Sequence, residues 1–318
     1  MIGAIVGDIA GSRFEFDTHK GKDFTLLVTP GDISVRTSHG DDERAIRIGE
    51  VFPTYSGQLL SQFGDDVKPE DNCYYTDDSV MTLAIAAAIM KWREGDDKTY
   101  TALSSEAIRN MQAFGLHYPN AGYGDMFWDW LGDEHPQPYN SWGNGAAMRV
   151  SACGWAGRTL DEVKAMSRAV TEVTHNHPEG IKGAEATAVA TFLARIGKSK
   201  EEIKAVIVRD YYPLDFTLDE IRPGYEFDVS CQGSVPQAIA AFMESTSFED
   251  AIRNAVSIGG DSDTIAAICG AVAGAFYGVP EDIRAKAETF LPFHLIETLH
   301  SFESKFCQMP YRDVGDMK

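Results

Sequence analysis

Two short runs of this sequence place acids and hydroxyls at the mouths of apolar segments. Thr76-Asp77-Asp78-Ser79 leads into VMTLAIAAAIM (80–90), and Gly259-Gly260-Asp261-Ser262-Asp263-Thr264 leads into TIAAICGAVAGAFYG (264–278). Both apolar segments are small or hydrophobic on every side, the pattern of a helix buried in the middle of a bundle. Each run therefore puts two carboxylates at the first turn of an interior helix. One acid there can serve as an N-cap, and a carboxylate at a helix start is favoured by roughly 0.3–1 kcal/mol. Two on each of two buried helices exceed that need. If the helix starts converge, desolvation and mutual repulsion become costly. Either the acids stay apart, as caps and surface groups, or a cation sits among them. Carboxylate and hydroxyl oxygens are hard donors, which suit Mg²⁺, Mn²⁺ or Ca²⁺ rather than zinc.

The elements that must hold these runs are helical. Residues 160–173 carry Leu160, Val163, Met166, Val170 and Val173 at spacings of three and four, with Thr159 and Glu162 as a capping box ahead of them. Ser247 and Asp250 give a similar start before AIRNAVSI. Further helices are expected at 80–92, 102–114, 181–196, 200–208, 236–244, 264–277, 281–289 and 292–304. Gly3, Gly7 and Gly11 recur every four residues, as do Gly270, Gly274 and Gly278; on a helix that spacing lines one face and lets another backbone approach closely, as in a tightly packed core. Strand signals are thin, FTLLV at 24–28 and a few residues near 205–212, and no alternation of strand and helix predicts a parallel sheet. The expected fold is one all-α domain over 1–318, a compact helical bundle.

Composition sets the class of partner. The chain has 318 residues, 28 Lys+Arg against 48 Asp+Glu, and a formal net charge of −20. That balance argues against bulk nucleic-acid binding and against docking on anionic membranes. Its five cysteines form no CxxC pair, the N-terminal run lacks a basic stretch, and the apolar run at 264–279 falls short of a membrane span. A reduced, cytoplasmic protein is the expectation.

The motifs also resemble those of a known family. GDIAGSRFE (7–15), YTDDSVMTLA (75–84), SWGNGAAMRVSACG (141–154), VTHNHPEGIKGAEA (173–186), SCQGSVPQAI (230–239) and GGDSDTIAAICGAVAGAFYG (259–278) resemble, in order, those of the ADP-ribosylglycohydrolase family, all-α enzymes typified by dinitrogenase reductase-activating glycohydrolase and the ADP-ribosylhydrolases. The resemblance implies a binuclear Mg²⁺ or Mn²⁺ centre at the bottom of an ADP-ribose cleft. Its ligands would be Thr76, Asp77 and Asp78 from the first metal motif and Asp261, Asp263 and Thr264 from the second. The implied reaction is hydrolysis of the bond from the distal ribose to a protein side chain, ADP-ribosyl-arginine favoured, or to another leaving group. Glu15, after the first helix, is the expected acid–base residue, with Asp78 and Asp261 completing the catalytic set.

Gly143, Asn144 and Gly145 are expected to turn backbone N–H groups toward a phosphate or ribose, though a Gly-Asn-Gly is also an ordinary turn. His175 would lie near the diphosphate or ribose, or else be a hydrogen-bonded histidine at a helix end. Arg149 faces phosphate or pairs with an acid. Tyr123 and Gly124 are substrate-side candidates, while Phe127, Trp128 and Trp130 wall the cleft, stack adenine or join the core. Residues 16–75 match no family motif and are read as a lid or flap that selects the leaving group. The alternative reading is a non-catalytic, crystallin-like member with a structural or ADP-ribose-binding role. Retention of all four aspartates argues against it.

Overall fold

A computed structural model describes residues 1–16, 19–29 and 72–307, together with the backbone of a hairpin formed by β1 (Ser34–His39) and β2 (Asp42–Arg47). Everything else described is helical or irregular. In chain order the helices are α1 (Ile2–Gly11), α2 (Asp77–Glu94), α3 (Tyr100–His117), α4 (Asp125–Gly132), α5 (Gly145–Met148), α6 (Ser151–Ala156), α7 (Leu160–Thr171), α8 (Pro178–Arg195), α9 (Lys200–Asp210), α10 (Leu218–Ile221), α11 (Cys231–Glu244), α12 (Phe248–Val256), α13 (Ser262–Tyr277), α14 (Glu281–Glu288) and α15 (Phe293–Phe306). The all-α expectation holds, and among the described residues no helix is long and apolar enough to cross a membrane.

α13 is the axis of the bundle. It is buried from Ser262 to Ala273 and packs against α1, α12, α11 and α8. α1 is buried along its whole length and makes its main contact with α13. The glycine periodicity explains how two helices lie so close. A Cβ at Gly7 would collide with the Ala266 carbonyl, one at Gly3 with the Gly270 carbonyl, and one at Gly11 would lie 2.5 Å from the Asp263 Cα. Only hydrogen fits between the two backbones. This interlock sets Asp8 on α1 beside the start of α13, because Gly7 and Gly11 flank it on the contact.

Some local expectations change in the structure. Thr159 caps α7, accepting from Glu162 N, but Glu162 does not close the box: its carboxylate accepts from Arg158 N at 2.7 Å and pairs with Arg93 at 2.5 Å. Among the described residues, reciprocal capping boxes form at Ser199/Glu202 and Thr217/Glu220. The segment 24–28 is irregular rather than a strand, with Leu26 and Leu27 both buried and Val28 O accepting from Cys73 N at 3.1 Å. Residues 205–210 belong to α9, where Ser199 fixes the helix start. α11 begins five residues before Pro236, since Ser230 caps it by accepting from Gly233 N. The lid expectation for 16–75 falls largely outside the described residues. Of the polar and aromatic residues that this segment would bring to a lid, Asp41 and Tyr55 lie outside the described residues, while for Arg36, Asp42 and Arg44 only the hairpin backbone is described.

Gly7→Ala forces a methyl group into the α1–α13 contact and should destabilise the protein by about 1–3 kcal/mol. Gly132→Ala, whose Cβ meets nothing within 4 Å, should leave stability almost unchanged. Urea unfolding of the two variants checks the pair.

Candidate active site

The N-termini of α2 and α13 converge. Thr264 Oγ1 donates to Asp78 Oδ2 at 3.1 Å, which joins the two acid-bearing runs directly. None of the four aspartates makes the N-cap side-chain bond of its helix. Thr76 is the N-cap of α2, its hydroxyl accepting from Asp78 N at 3.2 Å. Asp261 stands at the N-cap of α13, but its side chain caps nothing. The left-handed φ of Gly259 and Gly260, +73° and +74°, turns the chain into that position, a conformation that glycine adopts without strain.

A sixth carboxylate joins Glu15, Asp77, Asp78, Asp261 and Asp263: Asp8, which sequence reasoning passed over. It is fully buried and takes four hydrogen bonds, from Thr76 N (3.0 Å), Thr76 Oγ1 (2.7 Å), Ser79 N (3.1 Å) and Ser79 Oγ. Asp8 thus acts across the chain as the anion at the N-terminus of α2. The available signal was an acid on a helix otherwise apolar on every face.

The carboxylate oxygens form two groups that share Asp263. In each group, Asp8/Asp78/Asp263 and Glu15/Asp261/Asp263, the oxygens lie within 4.8 Å of one another. Asp78 Oδ1 is buried without a hydrogen-bond partner. Among the described residues none of the six pairs with Lys or Arg. Buried acids in that state hold protons tightly. Burial pushes Asp8 up to about 6, and burial together with Asp261 and Asp8 pushes Glu15 up to about 8. Asp77, Asp78, Asp261 and Asp263 are also raised, burial being the largest cause for each. Clustered oxygens, an orphaned acceptor and the lack of an ion-pair partner among the described residues suit a site for hard divalent cations.

Above this floor lies a cleft of about 420 Å³, lined by Glu15, Asp77, Asp78, Asp261, Asp263 and Thr264. Its walls include Gly124, Gly143, Asn144, Gly145, Arg149 and His175. Of the expected site residues Thr76 and Tyr123 do not line it. Thr76 sits beneath, between Asp8 and Asp78, and Tyr123 stacks outside on Trp128 at 6.0 Å. Phe127 is buried yet reaches the cleft, Trp130 stacks beneath it at 5.5 Å, and Trp128 is exposed. Sequence reasoning did not select Tyr139, Ser141, Asp125, Phe227 or Val229, which also form the walls.

Two of the three backbone N–H groups of the Gly-Asn-Gly loop are used inside the protein. Gly143 N–H donates to Ser141 Oγ at 3.0 Å and Asn144 N–H to Val229 O at 2.7 Å, so both are committed within the protein. The Asn144 amide donates to Asp261 Oδ2 at 2.6 Å and to Ser234 Oγ at 2.9 Å, and so orients a carboxylate of the floor. Lys20 ties the surroundings together. Its ammonium donates to Ile258 O and Tyr225 O, both at 2.6 Å, and anchors the segment after Glu15 to the turn before Asp261.

Arg149 is fully buried, donates to Thr174 Oγ1 at 2.6 Å and stands 5.5 Å over the Phe127 ring. Among the described residues it has no acid partner. Burial pushes its guanidinium down to about 10 and pushes His175 well below the usual histidine range, with Arg149 adding to the latter effect. His177, by contrast, is the N-cap of α8, its Nδ1 accepting from Glu179 N at 3.1 Å.

In a chelator the raised acids make the protein less stable as pH rises. The folded state holds the Glu15 proton more tightly than the unfolded chain, so this stability is complete below the ordinary value of 4.5 and is lost as pH climbs through about 8. The melting temperature in EDTA should fall across that window. A flat or rising profile would contradict the placement of these carboxylates.

The sequence model of the family described as ADP-ribosylglycohydrolase matches residues 1–308. The chain is 26% identical to the Homo sapiens protein named ADP-ribosylhydrolase ARH3, over 91% of this chain and 88% of that one. It is 28% identical to the Pseudomonas putida protein named ADP-ribosylarginine hydrolase Tri1, over 64% of this chain and 59% of that one. A solved structure titled ADP-ribosylglycohydrolase-related protein complex superposes with a TM-score of 0.54 at 21% identity, covering 91% of this chain and 94% of that one, and so shares the fold. The chain belongs to the ADP-ribosylglycohydrolase family and is a hydrolase of glycosidic bonds to ADP-ribose.

Proposed function

We propose that the enzyme hydrolyses the bond between the distal ribose of ADP-ribose and a protein side chain, arginine favoured, with two Mg²⁺ or Mn²⁺ ions held on the carboxylate floor. The observation that carries this is the pair of three-carboxylate groups sharing Asp263, each with its oxygens within 4.8 Å. Asp8, Asp78 and Asp263 would hold one ion, and Glu15, Asp261 and Asp263 the other, with the Thr76 and Thr264 hydroxyls beside them. When bound, such ions bring positive charge to the ribose hydroxyls and lower the pKa of a water.

The protein's own groups then divide the work. Cleavage builds positive charge at the anomeric carbon, and a nearby carboxylate either accepts a proton from the attacking water or supports that charge. Glu15 is suited to the proton transfer, because it lines the cleft half-buried, with a carboxylate oxygen beside those of Asp261 and Asp263. Asn144 holds Asp261 in orientation. Arg149, with no acid partner among the described residues, brings positive charge to the diphosphate side, and His175 lies next to it. At the mouth the exposed acid Asp125 complements a cationic guanidinium leaving group, which supports arginine over serine.

Incubation with ADP-ribosylated arginine and serine peptides tests this. Release of free ADP-ribose from the arginine peptide should require Mg²⁺ or Mn²⁺, stop in EDTA, and fall by about 100-fold or more in Glu15→Gln and in Asp261→Ala. Near-normal turnover of Glu15→Gln would remove Glu15 from the mechanism. Turnover in EDTA would remove the ions.

A further inference from the structure

Behind the cleft residues Arg149 and His175 runs a short chain of hydrogen bonds whose direction can be worked out. Arg149 can only donate, so in its 2.6 Å contact the Thr174 hydroxyl oxygen is the acceptor. The same hydroxyl lies 2.7 Å from His175 Nδ1 and 3.3 Å from Thr171 O. Thr171 O already accepts from His175 N at 2.9 Å and from Thr174 N at 3.1 Å. The hydroxyl proton therefore goes to the nearer acceptor, Nδ1. The opposite arrangement would aim an Nδ1–H at an oxygen that already faces a fixed positive charge. In the first arrangement every dipole in the row points the same way, and each bond strengthens the next.

We propose that Arg149 and Thr174 are positioning residues that hold His175 as a neutral imidazole protonated on Nε2, a hydrogen-bond donor presented to an anionic or hydroxyl oxygen in the cleft. The placement of Nε2 agrees. Among the described residues it has no protein partner, and a Cβ built at either Gly143 or Gly145 would stand 3.5 Å from it. Both glycines therefore lie within ordinary contact distance of this nitrogen and leave it open to the cleft. Thr174 and Arg149 are both buried, and the Tyr139 ring lies 5.6 Å from the imidazole, so water does not compete for Nδ1. Burial and the neighbouring guanidinium keep the ring uncharged. A neutral donor suits this place because it can bind a phosphate or ribose oxygen without being drawn into an ion pair with the carboxylates below. Only the identity of that oxygen rests on the ADP-ribose reading of the cleft.

Long-range ¹H–¹⁵N spectra of the full-length labelled protein at neutral pH, with His175 assigned through His175→Gln, read the two ring nitrogens directly. The expected result is a protonated Nε2 and an unprotonated Nδ1. Thr174→Val should shift both ring signals toward a mixture of tautomers and weaken ADP-ribose binding about tenfold, and Thr174→Ser should restore both. A wild-type spectrum with the proton on Nδ1, or ring signals unchanged in Thr174→Val, would overturn the assignment. If the wild-type ring is protonated on Nε2 but the protein does not bind ADP-ribose, the tautomer assignment stands and the reading of the cleft fails.

Discussion

Six carboxylates lie at the junction of three buried segments, none of them in an ion pair with Lys or Arg among the described residues, and the rest of the molecule is arranged around that imbalance. The protein supplies what fixed compensation it can. The starts of α2 and α13 point their positive ends at the cluster. Asp8 accepts from two hydroxyls and two backbone N–H groups, and Asp261 from the Asn144 amide. Two helix ends contribute roughly +0.5 charge each, well short of six negative charges. The remainder is met by protons, which explains the raised affinities of Asp8 and Glu15, or by divalent cations.

Such a cluster needs a rigid frame, because relaxed neighbours would let the acids separate. The α1–α13 contact provides it. Glycines on both helices remove the side chains that would otherwise hold the axes apart, and the backbones meet directly. Lys20 fixes the segment after α1 to the turn before α13, joining the two by a link that is independent of the glycines. Each of these devices lies outside the cleft, yet each sets the spacing of oxygens inside it.

The cleft is therefore polarised. One side is a floor of acids. The other is a wall in which a buried guanidinium, a buried hydroxyl and a neutral imidazole are linked in series. A ligand with hydroxyls at one end and phosphates at the other meets both demands, and this complementarity supports the proposed substrate more than the shape of the cleft does. It also explains how a protein with a net charge of −20 can accept a diphosphate, since the positive charge is local and buried.

The amino-acid sequence by itself determined the all-α class, the interior helices and the two acid-bearing starts, because helical periodicity and first-turn chemistry are local properties. Asp77, Asp78, Asp261 and Asp263 were legible for that reason, as was the close approach foreshadowed by Gly3, Gly7 and Gly270. Asp8 was not, since its four partners come from residues at the start of a helix far along the chain, and its own neighbours are only apolar. The role of Asn144 stayed hidden in the same way: a Gly-Asn-Gly reads as a loop that offers backbone donors, and only the fold brings Asp261 and Ser234 to its amide. Capping at Thr159 was visible, but the second half of the expected box was lost to Arg93, a competitor from another helix. Tertiary structure decided these points because a hydrogen bond or ion pair depends on distance in space, which the chain's local pattern does not encode.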